Sequence, residues 1–233
     1  MGASGGPRIE LDDLVLCLDA ADKKSYPESG TTFTDLSGNG NNGTLSTAGV
    51  GTRVPGTMDF GGDETTDLVT VSHNSNLSFG THNFSVTFFF NADSTASQTG
   101  ILQKAADWST AGYRIRFANG GLEYQLRPGH HYANGATNLS TGTWYHGAIT
   151  GDVTDAWAKI YINGVEETLE NAGTVELDSV GDMDNTADLW IGKYYSAGYT
   201  MNGRVANVCI YSKELSAAEV LHNFNVQRGR FGI

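Results

Sequence analysis

Arginine, carboxylate and amide side chains alternate with apolar ones in two neighbouring segments. Two arginines alternate with apolar residues between positions 113 and 117, and three polar residues do so between positions 122 and 127. Successive side chains of a β-strand point to opposite faces, so the polar residues face outward if the apolar ones face the core. The residues predicted to face outward are Arg114, Arg116, Glu123, Gln125 and Arg127.

The same argument adds aromatic and basic residues from other segments. If the isoleucines of residues 157–162 face the core, the aromatic and basic residues between them face outward, and Phe89 does so on its own strand. We expect Phe89, Trp157, Lys159 and Tyr161 to share one outer face with the arginines. Nearby loops are expected to contribute Trp108, His130, His131 and Tyr132.

This mixture of side chains is compatible with three kinds of surface. Aromatic rings pack on the C–H faces of sugars, while guanidinium, carboxylate and amide groups bond to hydroxyls. Arginine and aromatic residues are also enriched where subunits meet. Arginine and glutamate pairs can equally decorate a solvated sheet. A glycan-binding face, a subunit interface and an ordinary surface therefore all remain open.

One aspartate and two cysteines are candidates for metal or redox chemistry. Asp35 begins a segment rich in glycine and asparagine, where its carboxylate could ligate a structural calcium ion or cap backbone amides of a tight loop. No other cofactor is expected. Cys17 and Cys209 lie on the predicted first and last core strands, and in the absence of an export signal we expect them to be reduced.

Composition argues against several classes of partner. The 233 residues include 26 acidic and 14 basic ones, for a formal net charge of −12. A nucleic-acid binder needs a basic surface, so no nucleic-acid partner is expected. The negative charge also gives no affinity for anionic membranes. We find no secretory signal and no run approaching about 20 apolar residues, so neither secretion nor a membrane partner is expected.

Short strands joined by tight turns must position these residues. The 30 glycines show no collagen period and mark turns, and Asn-Gly pairs between alternating runs indicate hairpins. We count about ten strands and one helix, whose start is predicted by a capping box at Ser216 to Glu219. The predicted fold is all-β, a two-sheet antiparallel β-sandwich (jelly roll) with one short C-terminal helix. It forms a single domain over residues 9–233, after an N-terminal tail at residues 1–8.

Several segments, taken in order, carry a family pattern. They are residues 14–21, 35–45, 85–90, 142–146, 159–164, 189–192, 203–205, 210–211 and 215–220. Together they resemble the laminin-G-like group of concanavalin A-like lectin/glucanase jelly rolls. The resemblance implies two antiparallel sheets and either glycan binding or a structural role. The ends, Pro7-Arg8-Ile9 and Arg230-Phe231-Gly232, are similar to those of the variant found in virion proteins of marine tailed phages.

Some relatives with this fold are polysaccharide hydrolases or lyases. Retaining hydrolysis needs two carboxyl groups about 5–5.5 Å apart. The nearest approximation to the family's acidic strand is Glu176-Leu177-Asp178, with Val180 where a third acid would follow. We predict that this segment is a solvated edge or loop. We therefore expect that the protein is not an enzyme, and hydrolase or lyase activity is the least favoured alternative.

Two functional hypotheses follow. The first is a non-catalytic surface protein of a phage particle, serving as a capsid decoration or a fibre or adsorption module. Its partners would be other virion proteins or its own copies, and it would lie at the virion surface. The second is a carbohydrate-binding adhesion module that recognises host or environmental polysaccharide.

Overall fold

The computed structural model describes residues 8–46, 56–61, 68–97, 99–194 and 199–233. The predicted tail lies outside the described residues, except for Arg8. These residues contain sixteen strands. They are β1 (Leu14–Leu18), β2 (Thr32–Phe33), β3 (Gly43–Leu45), β4 (Met58–Gly61), β5 (Val69–Val71), β6 (Phe84–Ala92), β7 (Gly100–Lys104), β8 (Gly112–Ala118), β9 (Gly121–Arg127), β10 (His131–Gly135), β11 (Trp144–Gly151), β12 (Lys159–Ile162), β13 (Val165–Glu166), β14 (Leu169–Glu170), β15 (Leu189–Ile191) and β16 (Asn202–Tyr211).

The strands form two antiparallel sheets. Sheet 1 has the order β1-β16-β6-β11-β12-β13, with β4 also paired to β16, and sheet 2 has the order β14-β10-β9-β8-β7-β15-β5-β3-β2. This confirms the predicted two-sheet sandwich. The strands outnumber the ten or so expected because those of two or three residues, such as β2, β13 and β14, are too short to show alternation in the sequence.

The inner faces of the two sheets form one hydrophobic core. Val86, Phe88 and Phe90 of β6 point into it, as their alternation predicts. Phe90 meets Phe117 of β8 from the opposite sheet, with ring centroids 5.5 Å apart. Because Ile115 also lies in this core, the arginines on either side of it are turned to the outer face of sheet 2.

The turn between β8 and β9 sets the register of the arginine-bearing strands. Ala118 pairs with Gly121, which leaves Asn119 and Gly120 as a two-residue turn with φ angles of 52° and 81°. Asparagine and glycine are the residues that best tolerate this left-handed region, so the sequence favours a tight hairpin here. The predicted hairpin is confirmed.

The one α-helix among the described residues, α1, spans Ala217–Gln227 and begins at the predicted capping box. The Ser216 hydroxyl accepts from the Glu219 N–H, and the Glu219 carboxylate accepts from the Ser216 N–H. The helix ends at Gln227, and the chain continues through a 3-10 turn at Arg228–Arg230. Within the described ranges, no helix has the length and apolarity needed to cross a membrane.

The helix and the C-terminal residues cover the outer face of sheet 1. Val220 of α1 lies in a buried cluster with Tyr161 of β12 and Cys209 of β16. Beyond the helix, Phe231 stacks on Phe89 of β6, with ring centroids 4.2 Å apart and the rings inclined by 17°. This part of the outer face is therefore closed by the protein's own chain.

The two cysteines are direct neighbours beneath the helix. Cys17 of β1 and Cys209 of β16 are register partners, and their Sγ atoms are 3.3 Å apart. Both are buried free thiols. The hydrogen bond between them, together with burial, raises the pKa of the Cys209 thiol.

Candidate ligand-binding site

The outer face of sheet 2 carries a row of polar and aromatic side chains across five strands. Register pairs link Trp190 to Gln103, Gln103 to Arg114, Arg114 to Gln125 and Gln125 to Tyr132. Residues paired across antiparallel strands share one side of the sheet. We call this surface the polar face and define it by Gln103, Arg114, Arg116, Glu123, Gln125, Arg127, Tyr132 and Trp190.

Arg114 is completely buried at the centre of the polar face. Its Nη2 donates to the backbone carbonyls of Asp107 and Thr110, in the loop between β7 and β8. Its Nε and Nη1 have no hydrogen-bond partner among the described residues. Burial lowers the pKa of Arg114 to about 10; Tyr194 and Asp107 oppose this shift, and the charges of Arg127 and Arg116 add to it. The guanidinium is thus still charged at neutral pH.

Arg116 is paired, in contrast to Arg114. Its Nε donates to Oε1 of Glu123 at 2.6 Å, and its guanidinium carbon lies 5.1 Å from the centroid of the Tyr194 ring. The Tyr194 hydroxyl donates to Gln125 Oε1 at 3.4 Å. Burial raises the pKa of the Glu123 carboxyl, although Arg116 opposes this shift. The one carboxylate in the polar face is therefore already bound to a cation.

Four residues form the exposed margin of the polar face, and we call them the rim cluster: Trp108, Arg127, His130 and Tyr132. The Trp108 side chain is 52% exposed, and the Arg127 guanidinium carbon lies 5.6 Å from the centroid of its ring. The rings of His130 and Tyr132 are 4.7 Å apart. Half-buried Arg127 makes no hydrogen bond or ion pair through its guanidinium with any residue that the structure describes.

The three arginines act together on the histidine of the rim cluster. Burial lowers the pKa of His130, and the charges of Arg127, Arg116 and Arg114 lower it further. The positive charges of the polar face therefore disfavour a further cation at the rim cluster.

The single outer face predicted from the sequence is divided between the two sheets. The arginines lie on sheet 2, whereas Phe89, Lys159 and Tyr161 lie on sheet 1, on the opposite side of the sandwich. That part of the prediction is wrong. Alternation determines which side of its own sheet a residue occupies, but it does not determine which sheet its strand joins.

The three residues on sheet 1 are engaged within the protein. Phe89 and Tyr161 point outward as predicted, but they are buried under the C-terminal segment. Lys159 forms ion pairs with Glu214 at 2.7 Å and with Asp155 at 3.4 Å. None of them belongs to the polar face.

Trp157 and His131 pack against each other, away from the polar face, with ring centroids 4.8 Å apart. His131 is completely buried, and its ring nitrogens bond to the Tyr124 hydroxyl at 2.9 Å and the Val175 carbonyl at 2.6 Å. Its expected place among the exposed loop contacts is wrong, because its register with Leu126 turns it inward. Trp157 precedes β12, so strand alternation does not govern its direction.

Asp35 caps its loop with both carboxylate oxygens. Oδ1 accepts from the N–H groups of Cys17 and Ser37, each at 2.9 Å. Oδ2 accepts from the Asn41 N–H at 3.0 Å and the Ser37 hydroxyl at 2.7 Å. Of the two roles proposed for Asp35, the structure supports amide capping. Among the residues described, no group of three or more His, Cys, Asp or Glu side chains could hold a metal ion.

Sequence reasoning missed Trp190 and Gln103 of the polar face and their neighbour Lys193. Trp190 lies between buried residues in β15, and the Lys193 ammonium lies 5.2 Å from the centroid of its ring. The alternation of Trp190 with the apolar residues Leu189 and Ile191 could have predicted that Trp190 faces outward. Gln103 had no such signal, because two consecutive apolar residues precede it and a lysine follows it, so the segment does not alternate.

One protein-family model matches most of the chain. The model of the concanavalin A-like lectin/glucanase superfamily matches residues 63–221. The chain belongs to this superfamily. The match confirms the resemblance drawn from its segments. No curated protein sequence matches this superfamily member.

Solved structures of toxin binding domains share the fold of this superfamily member. The binding domain of Paraclostridial Mosquitocidal Protein 1 aligns with a TM-score of 0.70 and 20% identity, over 92% of this chain and 52% of that one. The botulinum neurotoxin serotype D ligand-binding domain, solved with N-acetylneuraminic acid, aligns with a TM-score of 0.69 and 19% identity, over 93% and 52%. The chain thus spans about half the length of these structures, and the likeness establishes the fold.

Proposed function

We propose that the protein is a non-catalytic carbohydrate-binding module that holds its ligand at the rim cluster. The observation that carries the proposal is the Trp108 ring, 52% exposed, with the Arg127 guanidinium 5.6 Å from its centroid. A flat exposed ring packs on the C–H face of a sugar, and the guanidinium beside it supplies planar donors for hydroxyls. The lectin-like fold supports the proposal.

Strands hold two of the four residues of the rim cluster. Arg127 ends β9 and Tyr132 lies in β10, while His130 directly precedes β10. Behind them, the ion pair of Arg116 with Glu123 and the contacts of Tyr194 occupy the interior of the polar face. A ligand therefore meets pre-positioned side chains, which reduces the entropy lost on binding.

The proposed module does not cleave its ligand. Glu176 and Asp178 are exposed at a short 3-10 turn, Leu177–Ser179. Glu123 has no second carboxylate in the polar face with which to form an acid and nucleophile pair, and its pairing with Arg116 opposes protonation.

Trp108→Ala tests the proposal on a glycan array and by titration with any glycan that binds. We expect binding to weaken about tenfold or more, because about 1.4 kcal/mol of ring contact is lost. Leu11→Ala is the matched control, since Leu11 is 53% exposed and lies outside the rim cluster. Equal binding by both variants would contradict the proposed site, and absence of glycan binding by the wild type would contradict the function.

A location at the surface of a phage particle is a second proposal, with virion proteins or further copies as partners. It is supported by the resemblance of the first and last residues to virion proteins. The structure gives Phe231 a packing role and pairs Arg230 with Asp19. Imaging of purified particles with labelled antibody tests this proposal, and unlabelled particles that contain no copy of the chain would contradict it.

A further inference from the structure

The polar face carries more positive charge than its own residues neutralise. Among the described residues, Arg116 is the only one of its three arginines in an ion pair, with Glu123 at 2.6 Å. Within the described ranges, Arg114 has backbone carbonyls as its only hydrogen-bond partners, and Arg127 has no polar partner for its guanidinium. Two of the three positive charges thus have no bonded anion in this part of the chain.

This arrangement is costly without a ligand. Like charges repel more strongly where protein excludes water, and Arg114 is completely buried. Burial is the main reason that the pKa of Arg114 is lowered; Tyr194 and Asp107 oppose this shift, while the charges of Arg127 and Arg116 add to it. An anion near Arg127 would offset the repulsion among the three arginines. Because Arg127 is the half-buried, unpaired member at the rim, it is the group that a ligand can reach.

We propose that the ligand is an acidic glycan, whose carboxylate or sulfate group binds the Arg127 guanidinium while a sugar ring packs on Trp108. This inference rests on the proposed function and narrows its ligand class. The guanidinium lies 5.6 Å from the Trp108 centroid, a spacing that allows one sugar residue to contact both groups. Arg114 and Arg116 favour the anion through their field without touching it.

The test compares pairs of polysaccharides that share a backbone and differ in whether the acidic group is free or has been blocked or removed. Polygalacturonate and its fully methyl-esterified form share a backbone, and a sulfated galactan and its desulfated form provide the sulfate arm. We expect the wild type to bind at least one acidic form tenfold or more tightly than its neutral partner. We also expect binding to weaken as sodium chloride rises from 50 to 500 mM, because the interaction is charge-assisted.

Arg127→Gln is the decisive variant, and Arg228→Gln is its control. Arg228 is exposed at the C-terminal end of the helix and lies outside the polar face. The inference predicts that Arg127→Gln abolishes the preference for the acidic form and that Arg228→Gln retains it. If Arg127→Gln fails to fold, as seen by thermal unfolding, the ligand pairs with wild-type protein decide the question.

The outcomes separate the inference from the proposed function. Equal binding of acidic and neutral forms, with loss on Trp108→Ala, would overturn the inference and leave the carbohydrate-binding function in place. Binding by the wild type to none of the four polysaccharides and to no array glycan would overturn both. A tenfold preference for the acidic member of either pair supports the inference. The pair that shows this preference identifies the bound group as a carboxylate or a sulfate.

Discussion

His146 is a buried titratable residue of the molecule's interior, lying between Phe89 and Phe224 on the covered side of sheet 1. Its ring centroid is 4.8 Å from that of Phe89 and 5.8 Å from that of Phe224. Its Nδ1 has no hydrogen-bond partner in the described part of the chain. Burial lowers the pKa of His146 to about 3, so the imidazole is neutral at neutral pH. Folding therefore becomes linked to pH through this residue.

The linkage predicts that acid destabilises the protein through His146. An unfolded histidine has a pKa near 6.5, so as pH falls below this value the unfolded state takes up a proton that the folded state excludes. Above about pH 6.5, His146 does not lower the free energy of unfolding. As the pH falls from there towards 3, His146 lowers this free energy by at most about 5 kcal/mol. His146→Leu should flatten this decline in denaturant unfolding at several pH values. The exposed residue His222 supplies the control, and an unchanged slope in His146→Leu would contradict the assignment.

The C-terminal segment is the element that distinguishes the two outer faces. Phe231 stacks on Phe89 at 4.2 Å and meets Trp144 at 4.7 Å. Next to it, Arg230 donates from both terminal nitrogens to the two carboxylate oxygens of Asp19, at 2.7 and 2.6 Å. These contacts hold the segment on sheet 1, which leaves sheet 2 as the side with an open rim.

Phe231→Ala should loosen this cover. We expect a loss of about 2 kcal/mol in the free energy of unfolding, less than for a fully buried phenylalanine because Phe231 is partly exposed. Leu221→Ala on the exposed side of the helix should change it by less than about 0.5 kcal/mol. Chemical denaturation measures both. Equal effects would show that the stacked ring does not hold the segment.

At the scale of the whole molecule, the two sheets depend on a shared core. Phe90 of sheet 1 and Phe117 of sheet 2 meet across it, and Phe79 stacks on both Phe84 and Tyr113. Neither sheet buries its inner face alone, so we expect the described residues to unfold as one cooperative unit.

Phe117→Ala tests this cooperativity. Removal of a completely buried ring should lower the free energy of unfolding by about 3–5 kcal/mol while a single transition remains. Trp108→Ala, on the exposed rim, should leave the transition nearly unchanged. Far-ultraviolet and near-ultraviolet circular dichroism should report coincident midpoints, whereas two separated transitions would show that the sheets fold independently.

Local patterns in the sequence were sufficient for the fold class and for the direction of many side chains. Alternation in residues 113–127 placed five polar residues on one side of a sheet, and Asn119-Gly120 predicted the hairpin that aligns them. The capping box at Ser216 predicted the start of the helix. These features depend on near neighbours in the chain, so they can be read without the tertiary structure.

Strand partnership and coverage were decided by the tertiary structure. Phe89 and Arg114 alternate equally well, yet β6 joins sheet 1 and β8 joins sheet 2, because strand order follows from burial shared among distant segments. The C-terminal ring of Phe231 covers one of these outward residues and not the other. The rim cluster likewise combines Trp108, from the loop between β7 and β8, with Arg127 at the end of β9. Only the folded chain brings these two side chains together.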